Sequence, residues 1–274
     1  MNGNNVDIET LLALSPSADP FRTSGVSQGR DAGWLYGGQL LGQAVAAAGR
    51  TVSNKQPHSM HAYFLTPGRF DRSVDYVVED VRDGRSFANR RVEAFQSTDD
   101  PILHASVSFH APETGASHQR DAPPRIPAPE SLDPAHGSTY RSGLESSFDI
   151  RRIPADLLSD PDTARRGVWL RATSPTSDDP LFHAAALAYL SDFELFLPAL
   201  LRHDLLGDGV MATSLDHALW WHVPARVDDW LLYIQESPRT SGSRGLAYGH
   251  FYTLDGTLVA SSVQEGLMRV REPA

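Results

Sequence analysis

Asp99-Asp100-Pro101-Ile102-Leu103-His104-Ala105-Ser106-Val107-Ser108-Phe109 is echoed further along the chain by Asp255-Gly256-Thr257-Leu258-Val259-Ala260-Ser261-Ser262-Val263-Gln264-Glu265. Asp99 matches Asp255, Ile102 matches Leu258, Ser106 matches Ser262 and Val107 matches Val263, each 156 residues on; His61 and His217 stand at the same interval. Solenoid repeats recur every 20 to 50 residues or so. The far longer interval here marks the duplication of a whole domain. Where two such copies differ at polar positions, those positions are candidates for function.

Composition narrows the classes. The chain has 274 residues, enough for one large domain or two of ordinary size. Apolar residues make up 41%, ample for a packed core. There is no cysteine, which excludes disulfides, thiolate metal sites and a cysteine nucleophile. Net charge is −10, a balance that repels a nucleic-acid backbone while still permitting an anionic small molecule at a local arginine cluster. The longest apolar stretch, Ala184 to Leu201, is interrupted by Asp192, Glu194 and Pro198, so it reads as a buried helix and not a membrane span. No basic segment followed by an apolar run opens the chain, so no secretory leader is expected and a cytoplasmic location is.

The organisation follows from periodicity. Residues 1–111 read as a first repeat, 112–145 as a linker and 146–274 as a second repeat. The first begins with a short helix around Ile8–Leu14 and a strand at Phe21–Ser27. Gly37-Gly38 opens a helix from Gln39 to Val52 that is small and apolar almost all round, as expected of a helix enclosed on most sides. Ser59–Leu65, Val74–Asp80, Phe87–Gln96 and Ile102–His110 are rich in β-branched and aromatic residues, with turns at Pro67-Gly68 and Asp83-Gly84. Pro112 to Pro134 holds six prolines and reads as an extended linker. The second repeat gives a strand at Val168–Ala172, then a helix from His183 to Leu197 that Pro198 bends or interrupts. Strands at Ser214–His222, Trp230–Glu236, Leu246–Tyr252 and Leu258–Leu267 follow. The fold class is α+β, each repeat an antiparallel sheet curled around one central helix.

Several motifs carry a resemblance. Gly37-Gly38-Gln39 with Gly42-Gln43-Ala44, His58-Ser59-Met60-His61 with Tyr63-Phe64, Pro67-Gly68 and Arg82-Asp83-Gly84-Arg85-Ser86-Phe87 lie in the first repeat. Tyr189-Leu190-Ser191-Asp192, Leu215-Asp216-His217, Asp229-Trp230-Leu231-Leu232-Tyr233, Arg244-Gly245 and Val263-Gln264-Glu265-Gly266 lie in the second. In this order they resemble the TesB-type acyl-CoA thioesterase II family over nearly the whole chain. The resemblance implies a double hotdog fold, acyl-CoA as substrate, no cofactor, and a homodimer or higher homo-oligomer. The chain departs from the family at Ala184, where an Arg usually follows the equivalent of His183.

The residues fit that chemistry. Asp192 lies on an otherwise apolar helix, where a carboxylate is costly unless hydrogen-bonded or paired; the matching family residue is catalytic. Ser214 stands where the family has Thr. Side chains alternate along a strand, so Ser214 and His217, three apart, are expected on opposite faces. That argues against a Ser–His pair and for Ser214 as a hydrogen-bonding group. Gln264, on the last strand, completes the set that the resemblance implies: a water held by Asp192, Ser214 and Gln264 attacks the thioester, the carboxylate accepting its proton. Gly37 and Gly38 offer backbone N–H groups at a helix start. His58 is a candidate polar contact. In the run Arg82, Arg85, Arg90, Arg91, the first two are candidates for coenzyme A phosphates. The first-repeat helix has no carboxylate, and at an interval of 156 Gln264 falls on Ser108, so one active site per chain is expected, in the second repeat.

Rival readings are weaker. Gly25-Val26-Ser27-Gln28-Gly29 fits a nucleophile elbow in letters only, since no apolar strand precedes it and Arg30-Asp31 follows. The Asp99 and His104 spacing is that of hotdog hydratases, but those residues fall in a hairpin turn and a strand instead of leading into the helix. A non-catalytic acyl-CoA-binding protein would not need Asp192, a hydroxyl at 214 and Gln264. His58 and His61 point to opposite faces, so no metal site is expected.

Overall fold

The computed structural model describes residues 7–27, 34–120, 122–135, 147–158, 164–207 and 209–270. The first repeat contains α1 (Ile8–Leu12), β1 (Leu14–Ser15), β2 (Arg22–Gly25), α2 (Gly37–Gly49), β3 (Gln56–Phe64), β4 (Val74–Asp83), β5 (Phe87–Phe95) and β6 (Pro101–His110). The second contains β7 (Phe148–Arg152), β8 (Arg166–Ala172), α3 (Pro180–Ser191), α4 (Leu197–Leu201), β9 (Val210–Ser214), β10 (Asp216–Trp221), β11 (Leu231–Ser241), β12 (Arg244–Thr253) and β13 (Leu258–Val270). Among the described residues these strands form one 13-stranded antiparallel sheet in the order β1-β2-β4-β5-β6-β3-β10-β13-β12-β11-β8-β7, with β9 added to β13. The repeats fuse where β3 meets β10, from Asp216 opposite Tyr63 to Trp220 opposite Ser59. The sheet wraps α2 and α3, and their apolar residues share one core with its inner face.

The duplication is real, but its interval is 157. His61 pairs with Ser106 as Ala218 pairs with Val263. Arg90 pairs with Val107 as Ala247 pairs with Gln264, and Tyr76 with Ala94 as Tyr233 with Phe251. The register slips at matching points, between Ala94 and Phe95 and between Phe251 and Tyr252. Burial agrees: Leu103, Ala105, Val107 and Phe109 face inward in step with Ala260, Ser262, Gln264 and Gly266. A shift of one residue along a strand exchanges its two faces. The 156-residue alignment therefore matches side chains on opposite faces; His61 is exposed and His217 buried. The structural counterpart of Gln264 is Val107, not Ser108, and that of His217 is Met60.

The two helices lie against each other head to tail, and glycines let them. A Cβ on Gly38 would lie 2.2 Å from the Tyr189 carbonyl oxygen, and one on Gly42 2.8 Å from that of Ala185. Only the bare backbone fits at these distances. α3 starts on Asp179, whose Oδ1 accepts from Leu181 N at 3.0 Å, with Pro180 in its first turn. It stops at Ser191, seven residues before Pro198, so proline does not end it. The chain turns sharply instead, with Glu194 at φ 53°. Three contacts hold that turn. The Tyr233 hydroxyl donates to the Ser191 carbonyl at 2.5 Å and Gln235 Nε2 to the Phe193 carbonyl at 2.5 Å. The buried Glu194 carboxylate pairs with Arg152 at 2.9 Å and Arg166 at 3.6 Å. The proline-rich linker is extended but not free. Ile126 and Leu132 pack on the outer face of the second sheet, Pro127 O accepts from Trp169 Nε1 at 3.1 Å, and Gln119 clips Gly256 and Leu258.

An alanine in place of a helical glycine normally stabilises by about 0.5–1 kcal/mol. Gly42→Ala should instead destabilise by about 1–3 kcal/mol, the range for overpacking, because the new methyl meets Ala185 O. Urea unfolding decides the sign, and a stabilised variant would mean that the helices are not held this close.

Candidate active site

The first turn of α2 lacks a cap of its own. Its flanking residue Tyr36 makes no side-chain capping bond, so orphan N–H groups point out of the helix. Asp192, the residue just beyond α3, supplies the acceptor: its Oδ2 takes the Gly38 N–H at 2.9 Å. Gly37 keeps the approach open, since a Cβ there would lie 2.9 Å from the same oxygen. The Tyr36 hydroxyl donates to the Tyr189 carbonyl at 3.0 Å and ties the two helix ends together. The site is thus composite, its carboxylate from the second repeat and its helix N-terminus from the first.

Gln264 meets the carboxylate from β13. Its Nε2 donates to Ser214 Oγ at 2.6 Å, and its amide favours the charged form of Asp192. On the other side Gln264 Oε1 lies 2.7 Å from His217 Nδ1, and His217 Nε2 lies 2.8 Å from Ser191 Oγ. Asp192, Gln264 and Ser214 are brought together. His217, which entered the sequence reading only as a rejected base for Ser214, joins them through Gln264. The expectation that Ser214 and His217 lie on opposite faces assumed one continuous strand from Ser214 to His222. The strand breaks at Leu215, whose N–H goes to Glu265 O and whose carbonyl accepts from Phe64 N. The break restores Ser214 to the side of His217. They still do not pair directly, because Gln264 stands between them.

The electrostatics follow from enclosure. Burial pushes the Asp192 carboxyl up to about 7, against the opposing pull of the Gly38 N–H and the Gln264 amide. Burial pushes the His217 imidazole down to about 4, keeping it neutral. Tyr36 and Tyr233, raised by burial and by the nearby Asp192 charge, stay protonated.

Other candidates lie elsewhere. His58 bonds Ser108 Oγ at 2.9 Å, six residues along β3 from Phe64, roughly 20 Å of strand. Arg82 and Arg85 are exposed at the β4–β5 hairpin, at that same far end. Arg90 is 1% exposed and tied to Thr51, Asp80 and Asp83, so it meets neither solvent nor ligand. Arg91 pairs with Glu79 at 2.8 Å. Asp99 is exposed in a turn and His104 lies on β6 opposite Tyr63 and Glu93, neither leading into a helix. Ser27 donates to Phe70 O at 2.8 Å; Gln28, Gly29, Arg30 and Asp31 of the elbow-like run lie outside the described residues. No group of three potential metal ligands occurs among the described residues, nor any helix long and apolar enough to cross a membrane.

Among the described residues the first repeat has no equivalent constellation. Where α3 ends on Asp192, α2 ends on Arg50, which donates to Leu14 O at 2.9 Å. Val107 replaces Gln264. Buried Arg90, the counterpart of Ala247, reaches Thr51 just past the helix end, through Nε to the hydroxyl at 2.8 Å and through NH2 to the carbonyl at 3.0 Å.

A sheet wrapped twice around paired central helices, with a carboxylate at their junction, defines a double hotdog protein with one composite polar site. Comparison with known proteins carries this further. A family model described as acyl-CoA thioesterase matches residues 158–267, and one described as acyl-CoA thioesterase N-terminal domain matches residues 26–110. Acyl-CoA thioesterase 2 of Haemophilus influenzae is 34% identical over 255 residues, 87% of this chain and 88% of the relative. Human acyl-coenzyme A thioesterase 8 is 34% identical over 290 residues, 97% of this chain and 90% of the relative. The crystal structure of acyl-CoA thioesterase II TesB2 from Mycobacterium marinum matches with a TM-score of 0.85 at 38% identity, covering 97% of this chain and 99% of that one. The chain belongs to the TesB-type acyl-CoA thioesterase II family.

The raised Asp192 carboxyl has a consequence for stability. The folded protein holds a proton that the unfolded chain, at the ordinary 3.8, releases. This contribution is present below about pH 4 and is lost as pH rises through 7. His217 acts oppositely below its ordinary 6.5, so the two must be separated by difference. Subtracting the Asp192→Asn stability profile from that of the unmodified protein should leave a fall from pH 4 to 7, and carboxyl-carbon NMR should find the Asp192 midpoint near 7. A midpoint near 4 would show an unshifted carboxylate.

Proposed function

We propose that Asp192 is the general base of a direct hydrolysis in which Asp192, Ser214 and Gln264 hold the attacking water. The family membership makes the chain a thioester hydrolase. The substrate is acyl-CoA and the products are a free carboxylic acid and CoA. What supports the finer reading is the convergence of a carboxylate, an amide and a hydroxyl from three separate elements on one spot beside a helix N-terminus.

The steps balance simply. Water gives a proton to the Asp192 carboxylate as its oxygen bonds to the thioester carbonyl carbon, forming a tetrahedral oxyanion. The positive end of α2 favours negative charge at its N-terminus. The oxyanion collapses, the carbon–sulfur bond breaks, and CoA leaves with the bond's electron pair. The Asp192 proton then goes to the thiolate. A thiol has a pKa of about 8.5, so the leaving group needs little assistance. A base titrating near the working pH combines a useful ionised fraction with proton affinity.

We further propose a location in the cytoplasm and association beyond the monomer through the short edge strands β1 and β7, since open edges invite pairing.

Asp192→Asn should lower kcat/KM by about 10²–10⁴, the range for losing a general base. The rate of the unmodified protein should rise with pH through an acid limb near 7, the value at which Asp192 titrates. Free-thiol release from acyl-CoA measures both, and an Asp192→Asn enzyme at full rate removes the assignment. Ser214 should carry no acyl group in quenched reactions analysed by mass spectrometry, and Ser214→Thr should remain active; a kinetically competent Ser214 ester would replace direct water attack by a covalent route. Titration with a tight, non-hydrolysable acyl-CoA analogue should find one equivalent per chain. Gln264→Ala should remove most turnover and Val107→Ala, at its counterpart in the first repeat, little of it. Equal damage from both would mean that the repeats share the chemistry.

A further inference from the structure

Gln264 has two unlike ends, and which end faces Asp192 decides whether the site holds an ionised base. With its Nε2 donating to Ser214 Oγ at 2.6 Å, the amide turns its positive end to the site and favours the Asp192 charge. Reversed, it would set a carbonyl oxygen against a carboxylate. Nothing in Gln264 itself selects between these. The selection comes from the group behind it, and that group is His217, 1% exposed and 2.7 Å from Gln264 Oε1.

The proton inventory is closed. A neutral imidazole has one N–H and one bare nitrogen. If Nδ1 carries the hydrogen, it donates to Gln264 Oε1, the amide NH2 faces the site, and bare Nε2 must accept from Ser191 Oγ at 2.8 Å. If Nε2 carries it, Ser191 accepts, sends its own proton to Ala188 O at 2.8 Å, and bare Nδ1 repels Oε1. The second arrangement forces Gln264 to turn over. An ionised Asp192 is compatible only with the first.

We propose that His217, protonated on Nδ1 and held by the Ser191 hydroxyl, is the positioning residue that fixes the polarity of Gln264 toward the attacking water. The inference rests on the water-holding role given to Gln264 above. His217 does not touch the reacting atoms; it acts through the amide. The titratable groups around the site are Asp192 itself, Tyr36, Tyr189 and Tyr233 from the helix ends and β11, His217 from β10, and Glu194, which is ion-paired to Arg152. Tyr36 and Tyr233 are protonated and His217 neutral at the pH of the acid limb, so that limb reports Asp192.

The test compares His217→Leu, His217→Asn, Ser191→Ala, Gln264→Ala and the His217→Leu/Gln264→Ala double variant, using thioester hydrolysis across pH with thermal unfolding as a folding control. His217→Leu should lower kcat about 10–100-fold, as loss of a side chain that orients a working group does, with KM nearly unchanged. Its acid limb should move to higher pH, because Asp192 loses a donor that stabilised its charge. His217→Asn, which can return an N–H to the same oxygen, should recover most of the rate. The double variant should be no slower than Gln264→Ala alone, since two residues acting as one unit are not additive. If His217→Leu does not fold, Ser191→Ala carries the test: kcat should fall and the limb shift in the same direction. A folded His217→Leu or Ser191→Ala enzyme with unchanged kcat and acid limb, or multiplicative losses in the double variant, overturns the inference while leaving the role of Gln264 intact. A fully active Gln264→Ala enzyme overturns both.

Discussion

The Gly38 N–H to Asp192 contact is the constraint on which the rest of the structure turns. A helix N-terminus needs an acceptor, and α2 takes its acceptor from the far repeat. That is possible only if α2 and α3 run antiparallel, at glycine-permitted contact, with α3 stopping one residue short of the carboxylate. Each condition has its own source: Gly38 and Gly42 in the helix faces, Tyr233 and Gln235 on the carbonyls of Ser191 and Phe193, and Glu194 pinned in a left-handed turn by Arg152 and Arg166. The carboxylate is pulled two ways. The N-terminus of α2 and the Gln264 amide favour its charge, while enclosure and the C-terminus of its own helix oppose it. Enclosure wins, and the carboxyl titrates near neutrality instead of near 4.

Most strands, both central helices and the order of elements were legible because periodicity and turn residues report local structure directly; the short strands β1, β7 and β9 were not. The limits of legibility are equally specific. The identical residues in the two copies align at 156, yet strand pairing and burial align at 157. A few chance identities in Ser- and Val-rich strands outweighed a one-residue shift, and in a pleated strand that shift inverts inside and outside. The absence of an amide in the first repeat was read correctly but from the wrong neighbour. The end of α3 was assigned to Pro198 because proline is a visible breaker; the actual cause, a buried ion pair holding Glu194 at positive φ, joins residues 42 positions apart. His217 was dismissed by a parity argument that holds along an unbroken strand, and no local signal announces the break at Leu215.

The contrast between the repeats shows what a site costs a fold. At the end of α2, Arg50 takes the place that Asp192 has after α3, and Arg90 satisfies its guanidinium on Thr51, Asp80 and Asp83. That end is closed with its polar groups paired internally. The second repeat has Ala247 where the first has Arg90, and Gln264 where the first has Val107. The same scaffold thus carries different buried polar groups at its two helix ends.

Thioester hydrolysis needs little beyond this. The sulfur leaving group departs readily, and the carbonyl lacks the strong resonance that makes amides resistant. The difficult partner is water, a poor nucleophile with many orientations. Holding it between acceptors and donors removes that orientational freedom in advance, and a positioned base removes its proton. Two of the groups assigned to the task are held from behind: Asp192 by the turn after α3, and Gln264 by His217, which in turn meets Ser191. Both lines of support converge on Ser191, whose carbonyl accepts from Tyr233 and whose hydroxyl meets His217. Ser191, immediately before Asp192, therefore touches both the support behind the carboxylate and the imidazole behind the amide.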